Sequence, residues 1–113
     1  MAGGRAFEHF LIEEIRAYLS YREKDLPLTY WRTSTGYEVD LIIGDMECAV
    51  EFKAARRIGT QHLKSLRALK EEHDPRLSIV VTPSGSRRRT EDGIDMMSRS
   101  EFCDQLWSDG IIA

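Results

Sequence analysis

The sequence predicts an α/β domain built on a mixed sheet: an antiparallel hairpin extended by a parallel crossover strand, with helices flanking it. Three observations carry that expectation. Residues 36–53 hold two strand-like runs separated by a Gly44-Asp45 turn signal. An amphipathic helical pattern over residues 5–21 precedes them. A helical stretch from Thr60 to about His73 leads into the β-branched run Leu77–Thr82, and the order strand, helix, strand implies a parallel pair.

The first helix places Phe7, Phe10, Leu11, Ile15, Tyr18 and Leu19 on one face. At about 100° per residue, Glu8 falls between Ile15 and Leu19, and Glu14 between Phe10 and Phe7, both inside the apolar arc. Glu13 falls outside it. A glutamate on a buried face needs a partner or a function. The plainer reading is a rim glutamate paired with an arginine.

Tyr21–Pro27 is charged and ends on a proline, a loop. Leu28–Thr33 is rich in β-branched and aromatic residues and reads as a strand, with Ser34-Thr35-Gly36 as its turn. Tyr30 and Trp31 read as packing residues rather than base-stacking platforms. In the central hairpin, strict alternation puts Val39, Leu41 and Ile43 on one face with Cys48, Val50 and Phe52. Glu38, Asp40 and Ile42 then share the other face with Glu47, Ala49, Glu51 and Lys53. Closing the hairpin at Gly44-Asp45 brings Asp40 within one or two pleats of Glu51.

Ala54–Gly59 is a loop carrying Arg56 and Arg57 beside this group, placed for phosphate contact rather than as a solvated charge pair. Thr60 reads as an N-cap, with Leu63, Leu66 and Leu69 facing inward along the helix it opens. His62 falls near Leu66 and Leu69, a boundary histidine, and without a second histidine at ligand spacing zinc is not expected. Asp74-Pro75 ends the helix. Leu77–Thr82 has the near-continuous apolar character of a strand buried on both faces. Pro83–Gly93 reads as a loop whose Arg87–Arg89 run is solvated, with phosphate binding the less favoured reading. Ile94–Met97 reads as a final edge strand. Ser98 with Glu101 fits a capping box for a short helix to Trp107 that docks Phe102, Leu106 and Trp107.

With 113 residues the chain is one small domain, 1–113, and 42% hydrophobic content supplies a core. No apolar run spans a bilayer and no signal-peptide pattern is present, so no membrane partner is expected. Cys48 and Cys103 form no C-x-x-C pair, which suits reduced thiols in a cytoplasmic protein. A net charge of −3 argues against strong autonomous nucleic-acid binding, although a local basic rim remains compatible with it.

Two converging carboxylates with an ammonium beside them suit Mg²⁺ or Mn²⁺, hard ions held by one or two carboxylates and several waters. Such an ion acidifies a bound water and offsets charge on a phosphate, while the lysine orients the water or stabilises the transition state.

Asp40, followed eleven residues on by Glu51-x-Lys53, after a helix with an internal glutamate, resembles the PD-(D/E)XK nuclease superfamily. The order helix, three antiparallel strands, helix, parallel strand is that of its restriction-endonuclease-like core. No proline precedes the aspartate; Val39 stands there, a departure many members share. More narrowly, Gly4-x-x-Phe7-Glu8, Tyr30-Trp31-Arg32, Gly36-x-Glu38-Val39-Asp40 and Val50-Glu51-Phe52-Lys53 resemble a bacterial and archaeal domain of unknown function that usually sits C-terminal to an AAA+-type ATPase module.

The resemblance implies metal-dependent phosphodiester hydrolysis of nucleic acid, DNA first. Asp40 and Glu51 would ligate the metal, with a main-chain carbonyl near Phe52 assisting. Lys53 would position the water, and Glu8 would hold a metal-bound water or a second ion. It favours Glu8 over Glu14 as the site glutamate, and offers Lys64 and Gln61 beside Arg56 and Arg57 for contact with nucleic acid. Implied partners are an AAA+-type ATPase module in cis or trans and a second copy in a homodimer. The abrupt start at Met1-Ala2-Gly3-Gly4 reads as a fragment or truncated form of a longer ATPase-containing protein. The alternative function is a non-catalytic DNA-binding or partner-binding module, since fold alone does not establish activity.

Overall fold

Leucine, isoleucine and aromatic side chains recur at helical spacing from Phe7 to Leu19, and the first helix, α1 (Ala2–Tyr21), buries Phe7, Leu11, Ile15, Tyr18 and Leu19 of that stripe. The computed structural model describes residues 2–55 and 57–112. Next come β1 (Leu28–Arg32), β2 (Glu38–Ile43) and β3 (Cys48–Phe52). A 3₁₀ turn (Thr60–His62) leads into α2 (Lys64–His73). β4 (Leu77–Thr82), β5 (Arg88–Arg89), β6 (Ile94–Ser98) and α3 (Arg99–Trp107) complete the order.

The strands form one six-stranded sheet in the order β1-β2-β3-β4-β6-β5. β1, β2 and β3 run antiparallel, β3, β4 and β6 run parallel, and β5 closes the edge antiparallel to β6. This is the expected α/β class with a mixed, helix-flanked sheet. Leu41, Ile43, Val50, Phe52, Ile79 and Val81 pack with Phe7, Leu11, Ile15, Phe102 and Leu106, so α1 and α3 cover one face. Val39, Ile42, Ala49, Val80 and Ile94 pack with Leu63, Leu66 and Leu69, so α2 covers the other. β3 is consequently buried at every position.

Strict alternation fails in β2. Thr29 pairs with Ile42 but Trp31 with Val39, so β2 carries one extra residue between those pairs, a β-bulge. Leu41 and Ile43 face α1 and α3 as expected, but Val39 joins Ile42 on the α2 face. The extra residue shifts every side chain N-terminal to it by one face. The hairpin connection is also longer than the Gly-Asp signal suggested. It spans residues 44–47, with Gly44 at φ 67° and Glu47 N–H returned to the Ile43 carbonyl at 3.1 Å.

Other expectations need correction. Thr60 is not an N-cap but the first residue of the 3₁₀ turn, whose N-cap is Gly59; the Gly59 N–H donates to His62 Nδ1 at 2.9 Å. Residues 83–93 are not all loop, because Arg88 and Arg89 form β5. β6 is therefore internal rather than an edge. Phe10 is 44% and Tyr30 63% exposed, so neither packs in the core; the Arg32 guanidinium lies over the Tyr30 ring at 4.8 Å. Ser98 does cap α3, its hydroxyl accepting from the Glu101 N–H at 3.1 Å. Among the described residues no helix is long and apolar enough to cross a membrane.

Candidate functional site

The bulge sits beside Asp40, where the β2–β3 ladder changes character. Leu41 pairs with Val50, the last regular pair before the acidic residues. Beyond it, side chains take over from main-chain partners. The Asp40 N–H donates to Glu51 Oε1 at 2.7 Å, and Asp40 Oδ2 accepts from the Phe52 N–H at 2.9 Å. Each carboxylate thus holds the neighbouring strand's backbone. Bulges commonly re-aim a side chain next to a functional site.

Lys53 follows at the end of β3. Its N–H donates to the Val81 carbonyl at 3.0 Å, continuing the β3–β4 ladder, and its ammonium lies 3.4 Å from Glu51 Oε2. Glu51 is 3% exposed. A Cβ placed on Gly4 would lie 3.8 Å from the Ala54 Cβ, so the N-terminal end of α1 passes over the segment after Lys53. Glu8, one turn further along, is half-buried within the field of Asp40 and Lys53.

The electrostatics record this crowding. Burial, and then the Asp40 charge, push the Glu51 carboxyl up to about 7; the Asp40 N–H and Lys53 oppose the rise without cancelling it. Glu8 is also raised, by burial first and then by Asp40, with Lys53 acting the other way. One lysine does not neutralise three carboxyl groups, and a further cation would relieve their repulsion. Among the described residues no group of three or more His, Cys, Asp or Glu side chains is gathered for a metal. A divalent ion here would therefore rest on the Asp40–Glu51 pair, with water and substrate oxygens completing its shell. Hard oxygen donors of this kind fit Mg²⁺ or Mn²⁺.

The structure thus joins Asp40, Glu51 and Lys53, with Glu8 in the field of Asp40 and Lys53. Glu14 is turned elsewhere, accepting from Trp107 Nε1 at 2.9 Å and so joining α1 to α3. Arg57 and Lys64 are exposed, and neither makes a hydrogen bond or ion pair to the four-residue group among the described residues. Gln61 is exposed and lies against Gly59. Arg56 lies outside the described residues. Cys48 is buried with its thiol pushed up to about 12 by that burial, and Cys103 is raised by burial as well, so neither thiol is poised as a nucleophile. The bulge and the exchanged side-chain hydrogen bonds escaped the sequence reading; Ile42 and Ala49, apolar on a face read as polar, signalled only that a helix covers that face.

No curated protein and no solved structure matches the chain. Residues 3–102 match the family described as a domain of unknown function, DUF4143, and the chain belongs to that family.

Proposed function

We propose that this chain is a metal-dependent phosphodiesterase acting on nucleic acid, built on the PD-(D/E)XK plan. One observation carries the reading. Asp40 and Glu51 exchange side-chain hydrogen bonds across adjacent strands, with Lys53 at 3.4 Å from Glu51 and Glu8 in the same field. The mixed sheet, with the acidic pair on its antiparallel section and a parallel crossover beyond, supports the same reading.

In hydrolysis a water oxygen bonds to phosphorus, one phosphorus–oxygen ester bond breaks, and the departing oxygen takes up a proton. Asp40 and Glu51 would hold the ion, and Mg²⁺ or Mn²⁺ bound there would supply charge neutralisation of the phosphate and acidification of water. Lys53 orients the attacking water and offsets charge growing on the phosphoryl oxygens. Glu8 accepts a hydrogen bond from that water and fixes its approach. DNA is the proposed first substrate. An AAA+-type ATPase module, in cis or trans, and a second copy of the chain are the proposed partners, on the strength of the sequence resemblance.

The test is cleavage of plasmid and single-stranded DNA and RNA in Mn²⁺ by wild type and Lys53→Ala. Cleavage lost in the variant, with its thermal unfolding preserved, supports the assignment. Equal cleavage by both refutes it. Binding of nucleic acid without cleavage by the wild type indicates the non-catalytic module instead.

A further inference from the structure

A cleft of about 500 Å³ opens beside the candidate site, within the roughly 300–1,000 Å³ range of small-ligand pockets. Arg57 and Arg88 line it, together with Ser84 and Ser86, and Ile58 and Met96 supply apolar surface. Two guanidinium groups and two hydroxyls are donors of the kind that recognise phosphate oxygens. The apolar side chains offer a surface on which a sugar or base can lie.

Three elements build this cleft. Arg57 follows Lys53 by four residues along the chain. Arg88 pairs with Met96 across the β5–β6 ladder, which places the two side chains on one side of the sheet. The serines stand in the turn leaving β4, which is pinned by the buried Thr82 hydroxyl donating to the Ser84 carbonyl at 3.0 Å. Thr82 follows Val81, the residue whose carbonyl accepts from Lys53. The cleft and the candidate catalytic group therefore open at the same end of the sheet.

We infer that this cleft is a nucleotide subsite, binding one phosphate between Arg57 and Arg88 and the attached nucleoside against Ile58 and Met96. The inference rests on the nucleic-acid reading of the neighbouring carboxylates, and it assigns the cleft the strand flanking the scissile phosphate. It also gives Arg88 the phosphate contact that was the less favoured reading of the Arg87–Arg89 run.

The experiment is fluorescence anisotropy with a labelled single-stranded oligothymidylate, in EDTA so that binding is read without metal or cleavage. Wild type is compared with the double variant Arg57→Ala/Arg88→Ala, and with Arg16→Ala, which removes one positive charge from the exposed face of α1. The double variant is expected to bind about tenfold or more weakly. Its log affinity against log salt should lose about one unit of slope. Arg16→Ala should bind like wild type. Competition with thymidine monophosphate identifies the source of the phosphate. A strand ligand yields to the mononucleotide only at large excess, whereas comparable affinity for both marks a free nucleotide as the occupant of the same subsite. Failure of wild type to bind either probe, or equal binding by wild type and the double variant, overturns the subsite. Binding by the wild type with no cleavage in Mn²⁺ counts against the catalytic reading alone.

Discussion

Asp40 and Glu51 are joined twice across the β2–β3 pair: the Asp40 N–H donates to Glu51 Oε1 at 2.7 Å, and Asp40 Oδ2 accepts from the N–H beside Glu51, that of Phe52, at 2.9 Å. These bonds hold two acidic groups close together, half-buried Asp40 on β2 and buried Glu51 on β3, where hydrophobic residues would give a more stable sheet. A buried carboxylate pair costs stability through desolvation and mutual repulsion. Retaining that cost at the β-bulge is the pattern expected of a binding or catalytic group rather than of a scaffold.

The cost has a pH signature. Glu51 rises from about 4.5 to about 7 on folding, so the fold favours its protonated form. Its contribution to stability is present in full below the unfolded value and is lost as pH rises through about 7. At 1.36 kcal/mol per pKa unit that is up to about 3 kcal/mol. Glu51→Gln should remove this slope. The variant is expected to melt at higher temperature than wild type at pH 8 and to converge with it near pH 4.5 in calorimetric scans. Parallel pH profiles for the two proteins would mean that Glu51 does not titrate in this window.

Glu8 and Glu14 are expected to separate by function. Glu14→Ala leaves Trp107 Nε1 without its acceptor, and is expected to cost about 1 kcal/mol in urea unfolding without altering cleavage. Glu8→Gln lies in the field of Asp40 and Lys53, and is expected to reduce cleavage at least tenfold with little loss of stability. Reversal of these two outcomes would move the site along α1.

Phe102 is fully buried in the layer between the sheet and α1 and α3. Phe102→Ala should destabilise the protein by about 3–5 kcal/mol, measured by chemical denaturation. The milder Ser98→Ala should cost about 1 kcal/mol through loss of the α3 cap. A small effect at Phe102 would show that α3 does not complete this core.

Much of this architecture was legible from the residues. The Phe7–Leu19 stripe has one period and reads only as a helix, and Leu77–Thr82 is too continuously apolar for an exposed strand. The Ser98–Glu101 spacing marked the α3 start because the capping bond needs that separation. Asp40, Glu51 and Lys53 were also found together, because a longer turn moves the hairpin register by only one pleat and leaves Asp40 beside Glu51. The face of Val39 was not legible: a bulge adds one residue without altering composition, and period-two reasoning runs through it. The strand at Arg88–Arg89 was missed for a related reason. Its two exposed arginines pair with Asp95 and Met96 through the backbone, so the side chains carry no alternation to detect.

The central claim is that Asp40 and Glu51 form one cation site. Its most direct test is calorimetric titration of Mn²⁺ into wild type beside Asp40→Asn at pH 8, where Glu51 is ionised in most molecules. Wild type is expected to bind one Mn²⁺, and the variant at least tenfold more weakly, because a charged ligand is lost while the asparagine oxygen can still accept from the Phe52 N–H. Equal affinity in the two proteins would contradict the site.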